Sequence, residues 1–249
     1  MESDQTMMSI RPEVWPFIGI TLLVSLLVYL LLWRFTRLSA RAALYLPLVA
    51  GLVFGAYFLW FFRDPPRRPP SDPAAIVSAA DGTCAKITVM SEEAFLKAAA
   101  FAGLKDADMA PFLGGNVVRI SIFLSLFDVH VNRMPIAGTS RFMGYFPGKH
   151  LFTFDEKSSD VNQHNSILIR NDRTVCLVNQ IVGPVCRRVV YWLDAKAPVQ
   201  VRKGQDFGMM KFGSRLDMYF PEADIALVSK EGDRVRAGET VMARYREAL

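Results

Sequence analysis

Val118-Arg119-Ile120-Ser121-Ile122-Phe123-Leu124 alternates, residue by residue, between aliphatic side chains and others. In an extended strand successive side chains point to opposite faces. Val118, Ile120, Ile122 and Leu124 therefore share one face, and Arg119, Ser121 and Phe123 the other. The same period of two recurs downstream. Residues 166–170 and 174–181 predict a hairpin turning at Asn171-Asp172-Arg173, and 189–193 a further strand. Upstream, 92–104 predicts a helix, with Ser91 as N-cap and Glu92 and Glu93 in the first turn, where acids suit the helix dipole. No repeat of solenoid length and no low-complexity tract interrupts this pattern. The fold class expected for residues 74–249 is a β-rich α+β domain.

Toward the N-terminus the period is lost and the charges vanish. Residues 15–33 form a run of 19 without a charge, and 42–62 a second run of 21. About 20 apolar residues span the hydrocarbon core of a bilayer. Only eight residues, 34–41, join the runs. The expectation is a transmembrane helical hairpin over 1–63, with helices at about 15–33 and 42–62. A cleaved signal peptide is not expected, because the leader carries Glu2 and Asp4, the run is too long and no small-residue cleavage site follows. Arg34, Arg37 and Arg41 in the connection stand against Arg11, Arg63, Arg67 and Arg68 outside it, so the positive-inside rule leaves orientation open between a spanning and a shallow hairpin. Asp64-Pro-Pro-Arg-Arg-Pro-Pro-Ser-Asp-Pro73 is a stiff linker, since prolines forbid helix and favour extended chain.

The net charge is +5. No stripe of interleaved aromatic and basic residues points to nucleic acid. The cations just past the second apolar run are expected beside anionic headgroups instead, each contributing about 1 kcal/mol near the surface. Cys84, Cys176 and Cys186 are odd in number and lack metal-ligand spacing, which suits a reducing compartment and gives no metal site. Near the C-terminus, residues 228–243 alternate valines and glycines with turns, as biotinyl and lipoyl carrier domains do. That keeps open an alternative in which Lys211, in Met-Met-Lys-Phe, is the modified lysine of a membrane-tethered carrier.

Three short pieces carry the chemistry. Met-Met-Lys-Phe-Gly-Ser-Arg-Leu-Asp, residues 209–217, holds the single Gly-Ser pair of the chain, between two strand-like stretches. Phe127-Asp-Val-His-Val-Asn-Arg-Met-Pro135 places Asp128, His130 and Asn132 on one face of an expected strand, alternating with Val129 and Val131. Ala80-Asp81-Gly82 reads alone as a turn. In this order and behind a hydrophobic N-terminus, the three resemble the short bacterial form of phosphatidylserine decarboxylase, from about residue 14 to the end.

That resemblance implies a proenzyme. Self-cleavage between Gly213 and Ser214 would give a β chain of 1–213 and an α chain of 214–249, held together as a heterodimer, with a higher oligomer left open. The cofactor would be a pyruvoyl group formed covalently from Ser214. Phosphatidylserine, drawn from membrane lipid, would lose CO2 to give phosphatidylethanolamine, with the enzyme on the bacterial inner membrane facing the cytoplasm. Decarboxylation needs an electron sink. The sequence shows neither a nucleotide-binding glycine fingerprint nor a marked pyridoxal lysine. The family's carrier-like C-terminal part matches the valine–glycine pattern noted above.

Ser214 needs a base, and the base an orienting acid. His130 is the expected base. Asp81, matching the family's Asp-Gly, is the expected orienting acid, with Asp128 as its rival. His150 stands in Pro147-Gly-Lys-His-Leu, where the family has an apolar residue, and His164 in Asn-Gln-His-Asn, where the family has Asn-Glu-Arg-Asn. No role transfers to either histidine. Arg133, Lys149 and Arg215 are substrate-binding candidates by charge and proximity to these motifs. A pyruvoyl decarboxylase with another amino-acid substrate remains an alternative.

Overall fold

In the computed structural model, residues 7–101, 105–184 and 189–246 are described. Glu2 and Asp4 of the leader, the expected helix end at Leu104, and Cys186 lie outside them. The chain divides into two compact units, Met1–Pro66 and Arg67–Leu249.

The first unit is built on α1 (Trp15–Phe35) and α2 (Ala40–Phe61), both long and apolar enough to cross a membrane. Ser39 caps α2 by accepting the Ala42 amide. The helices run antiparallel, since the Phe17 ring lies 5.2 Å from Phe58 and 5.1 Å from Phe62. At the open end Ser9–Ile10 pairs with Arg63–Asp64 as a short antiparallel ladder, reinforced by an Arg11–Asp64 ion pair of 2.5 Å.

The second unit is β-rich. Its main sheet has eight strands in the spatial order Val199–Val201, Gly138–Phe146, His164–Arg170, Val175–Ile181, Ser214–Pro221, Val117–Leu124, Gly82–Met90 and Arg234–Val235, with every neighbour antiparallel. Two three-stranded sheets accompany it. One joins Val190–Tyr191, Asp206–Met209 and Val131–Arg133, and the other Ile225–Leu227, Val241–Tyr245 and Ala75–Val77.

Ile120, Ile122 and Leu124 pack with Leu216, Met218, Val178 and Ile167 in the main core. A slip of one residue would exchange them for Arg119 and Ser121, so burial fixes the register. The opposite face is buried as well. Leu177, Tyr219 and Val117 pack with Phe95 of α3 (Glu92–Phe101) in a second core. Arg119 lies under an excursion of the chain over 147–163, where it pairs with Glu156 at 3.0 Å and Asp160 at 3.4 Å.

Candidate active site

At Gly213 and Ser214 the chain passes from the strand Asp206–Met209 of a small sheet to Ser214–Pro221 at the centre of the large one. The corner is sharp. Phe212 has φ 51° and Gly213 φ 70°. A bulky residue in this region stores about 1–3 kcal/mol of strain and persists only where its surroundings over-determine it. Here the Phe212 side chain packs against the main core. Gly213 is required by its φ and not by space, because a Cβ there would meet nothing within 4 Å. Ser214 is fully buried, and its Oγ donates to the Lys211 carbonyl at 3.3 Å, which folds the hydroxyl back over the corner.

Two connections meet at this end of the sheets. Ser214 pairs with Leu124, the last residue of its strand. Met209 pairs with Val131, and the Met210 amide donates to the His130 carbonyl at 3.2 Å. Segments 125–130 and 210–213 therefore link the same two strand pairs and run side by side. The topology places His130 and Ser214 on or at the end of neighbouring connections.

The strand expected to carry Asp128 and His130 begins only at Val131. Asp128 closes a turn instead. Its Oδ2 accepts the Ser125 amide at 2.8 Å and the Ser125 hydroxyl at 2.7 Å, and its Oδ1 accepts Arg234 at 2.5 Å. Burial alone would raise the Asp128 pKa, but the bonds from Ser125 and Arg234 outweigh it and hold the carboxyl below its ordinary range. The turn aims the Asp128 carbonyl at Nδ1 of the fully buried His130 ring, 2.9 Å away. A carbonyl only accepts, so Nδ1 carries the hydrogen and a neutral ring keeps Nε2 as its basic atom.

Asp81 is buried nearby. Its Oδ1 accepts the Ala237 amide at 2.8 Å and its Oδ2 accepts Arg67 at 2.7 Å. Burial raises its pKa, against the pull of Arg67 and the Ala237 bond, and the negative charge of Asp128 adds to the rise. Gly82 sets this position: with φ 147°, its Cβ would stand 2.1 Å from the Phe123 carbonyl oxygen. Arg67 is a correction to the composition-based expectation of a headgroup-facing cation. Its side chain is only 6 % exposed and it also pairs with Glu239 at 3.2 Å.

The three basic candidates are placed differently. Arg133 is buried and donates to the Gly204 carbonyl at 3.3 Å. Arg215 is buried between Asp217, at 2.9 Å from Nε, and the Ser121 hydroxyl, at 2.7 Å from Nη2. Lys149 is exposed on the 147–163 excursion. His150 Nε2 lies 3.1 Å from Gln163 Oε1. His164 is buried, with Nδ1 2.9 Å from the Asn162 carbonyl and its ring stacked on Phe146 at 5.3 Å; burial lowers its pKa.

Sequence reading passed over Asn162, which is fully buried. Its Oδ1 accepts the Leu151 amide at 2.9 Å, and its Nδ2 donates to the Leu151 carbonyl at 2.8 Å and the Val182 carbonyl at 2.9 Å. One amide thus ties the excursion to the segment after Val175–Ile181. An asparagine between Val161 and Gln163 gives no such signal until the fold is known.

Comparison with known proteins gives the family. The family model described as phosphatidylserine decarboxylase matches residues 54–243. A phosphatidylserine decarboxylase proenzyme of Symbiobacterium thermophilum is 33 % identical over 243 residues, covering 97 % of this chain and 98 % of the relative. Proteins of the same name from Prosthecochloris aestuarii and Carboxydothermus hydrogenoformans are 38 % and 37 % identical, over 91 % and 85 % of this chain and 95 % and 90 % of the relatives. No solved structure matches the chain.

Proposed function

This chain belongs to the phosphatidylserine decarboxylase family, and from that premise we propose that it converts phosphatidylserine to phosphatidylethanolamine and CO2 through a pyruvoyl group made from its own Ser214. The observation that carries the proposal is the strained backbone at Phe212 leading through Gly213 into the buried Ser214, on the connection beside that of His130.

Self-cleavage follows from the residues present. Nε2 of His130 takes the Ser214 hydroxyl proton as Oγ attacks the Gly213 carbonyl carbon. The C–N bond breaks, the proton passes to the freed nitrogen, and an ester joins the two segments. Loss of the Ser214 Cα proton expels the Gly213 carboxylate and leaves dehydroalanine. Water then displaces the nitrogen as ammonia, leaving a ketone at the new N-terminus. When formed, that ketone supplies the electron sink for the charge left on Cα as CO2 departs. Asp81 acts on His130 through space, stabilising its charged form, while the Asp128 carbonyl fixes its tautomer.

The strand Ser214–Pro221 is paired on both sides, with Val117–Leu124 and Val175–Ile181. These ladders support a heterodimer of chains 1–213 and 214–249 that persists after cleavage. The apolar α1 and α2 support membrane attachment, with the inner membrane and a cytoplasmic catalytic domain as the setting. Lys211 as a carrier lysine fits less well. A carrier has no need of strain at Phe212 or of a buried Ser214.

Carbonyl reagents test the reading. Hydroxylamine or phenylhydrazine should inactivate the enzyme, and borohydride with phosphatidylserine should leave a lipid adduct on chain 214–249. Activity that survives these reagents, or that requires added pyridoxal phosphate, would overturn it.

A further inference from the structure

Gly183 follows the strand Val175–Ile181 and is buried against the corner. A Cβ built on it would lie 2.8 Å from the Gly213 carbonyl oxygen and 3.3 Å from Cγ2 of Thr153. Gly183 is not among the glycines with positive φ, so its backbone is one that an alanine adopts without strain. Space alone excludes a side chain there, and the crowded atom is the oxygen of the bond that Ser214 would attack. Thr153, on the excursion, is buried as the facing wall. Both walls are registered by Asn162, through Leu151 on one side and Val182 on the other; the Val182 amide also donates to Gln163 at 3.0 Å.

We propose that Gly183, with Thr153 opposite and Asn162 holding both in place, is a positioning residue that leaves room for the Gly213 carbonyl to become tetrahedral during self-cleavage. This rests on the self-cleavage proposed above. During attack the carbonyl carbon leaves its plane and the oxygen moves while gaining charge. A methyl group inside van der Waals contact displaces that oxygen from the line of attack, and a misplacement of about 1 Å can slow a reaction roughly 10²-fold. Once the bond is cut, Gly213 is the free end of chain 1–213. The berth then has no further part in turnover. Gly183 therefore governs the rate of maturation and not the rate of decarboxylation.

The test uses full-length protein expressed in a host without its own decarboxylase. Wild type, Gly183→Ala, Thr153→Ser and the double variant are followed by gel for chain cleavage. Phenylhydrazine titrates the ketone formed, and activity is expressed per ketone. Gly183→Ala should cleave about 10²-fold more slowly than wild type, with unchanged activity per ketone. Thr153→Ser, which removes Cγ2, should restore part of the cleavage in the Gly183→Ala background by giving the added methyl somewhere to move. Wild-type cleavage in Gly183→Ala overturns the proposal, as does activity per ketone that falls in step with cleavage, or a double variant no faster than the single. A wild-type chain that stays intact overturns the self-cleavage reading itself, and that outcome is read from a separate lane.

Discussion

Asp81→Ala separates an anchoring role from a catalytic one. In the structure the carboxylate accepts Arg67 and the Ala237 amide, with both ion-pair partners largely buried. Removing one member of a buried pair costs about 3–5 kcal/mol, because the other is left uncompensated. Arg67 keeps Glu239 as a second partner, which places the expected loss near the lower end, about 3 kcal/mol. Arg67→Ala strands Asp81 in the same way and should cost a similar amount. The double variant should lose less than the two single losses combined, by about 0.5–3 kcal/mol. These stabilities are read from urea unfolding of full-length protein in detergent, all in a Ser214→Ala background so that cleavage does not intrude. Cleavage is then timed by gel with Ser214 restored. If Asp81 stabilises the charged ring of His130, Asp81→Ala should slow cleavage by about 10²-fold or more, while Arg67→Ala, equally destabilised, should cleave near the wild-type rate. Equal slowing in both variants would refute the reasoning and leave Asp81 as an anchor for Arg67 and the Ala237 segment.

His130→Ala should slow cleavage by about 10²–10⁴-fold or abolish it, as timed on the same gels; normal cleavage would remove the imidazole from processing. Asp128→Ala should slow it by a smaller factor, because its carboxylate closes the turn whose carbonyl orients His130, and Asp128→Asn, which keeps an acceptor for Ser125, should recover most of the rate. Stability should depend on pH through His164. Its folded pKa lies below the ordinary 6.5 because of burial, so the unfolded chain binds the proton first. The contribution is complete above about 6.5 and is lost as pH falls through the folded value. His164→Gln should flatten that part of the stability–pH curve measured by urea unfolding, and an unchanged slope would contradict the assignment.

Much of this was legible in the residues. The alternation over 118–124 gave a central strand because both of its faces are buried and its register cannot slip. The apolar runs gave α1 and α2, since length and lack of charge suffice. The Gly-Ser pair stood out only with its neighbouring motifs. Its strain, at Phe212, was hidden because propensity places no phenylalanine in the left-handed region. The polar face read over 128–132 failed locally, because Asp128 satisfies Ser125 and makes a turn where alternation predicted a strand. Arg67, Asn162 and Gly183 were silent for a different reason. Their partners are 14, 11 and 30 residues away in sequence or more, and only the folded sheets bring them together.

The intact mass of purified wild-type protein tests the central claim most directly. Two species are predicted. One is the chain of residues 1–213, and the other is 214–249, lighter than its sequence mass by one ammonia because serine has become pyruvoyl. Ser214→Ala should give one species of full length and no activity. A wild-type protein that decarboxylates phosphatidylserine while showing only the uncut mass, or a chain of 214–249 that retains an N-terminal serine, would contradict the account.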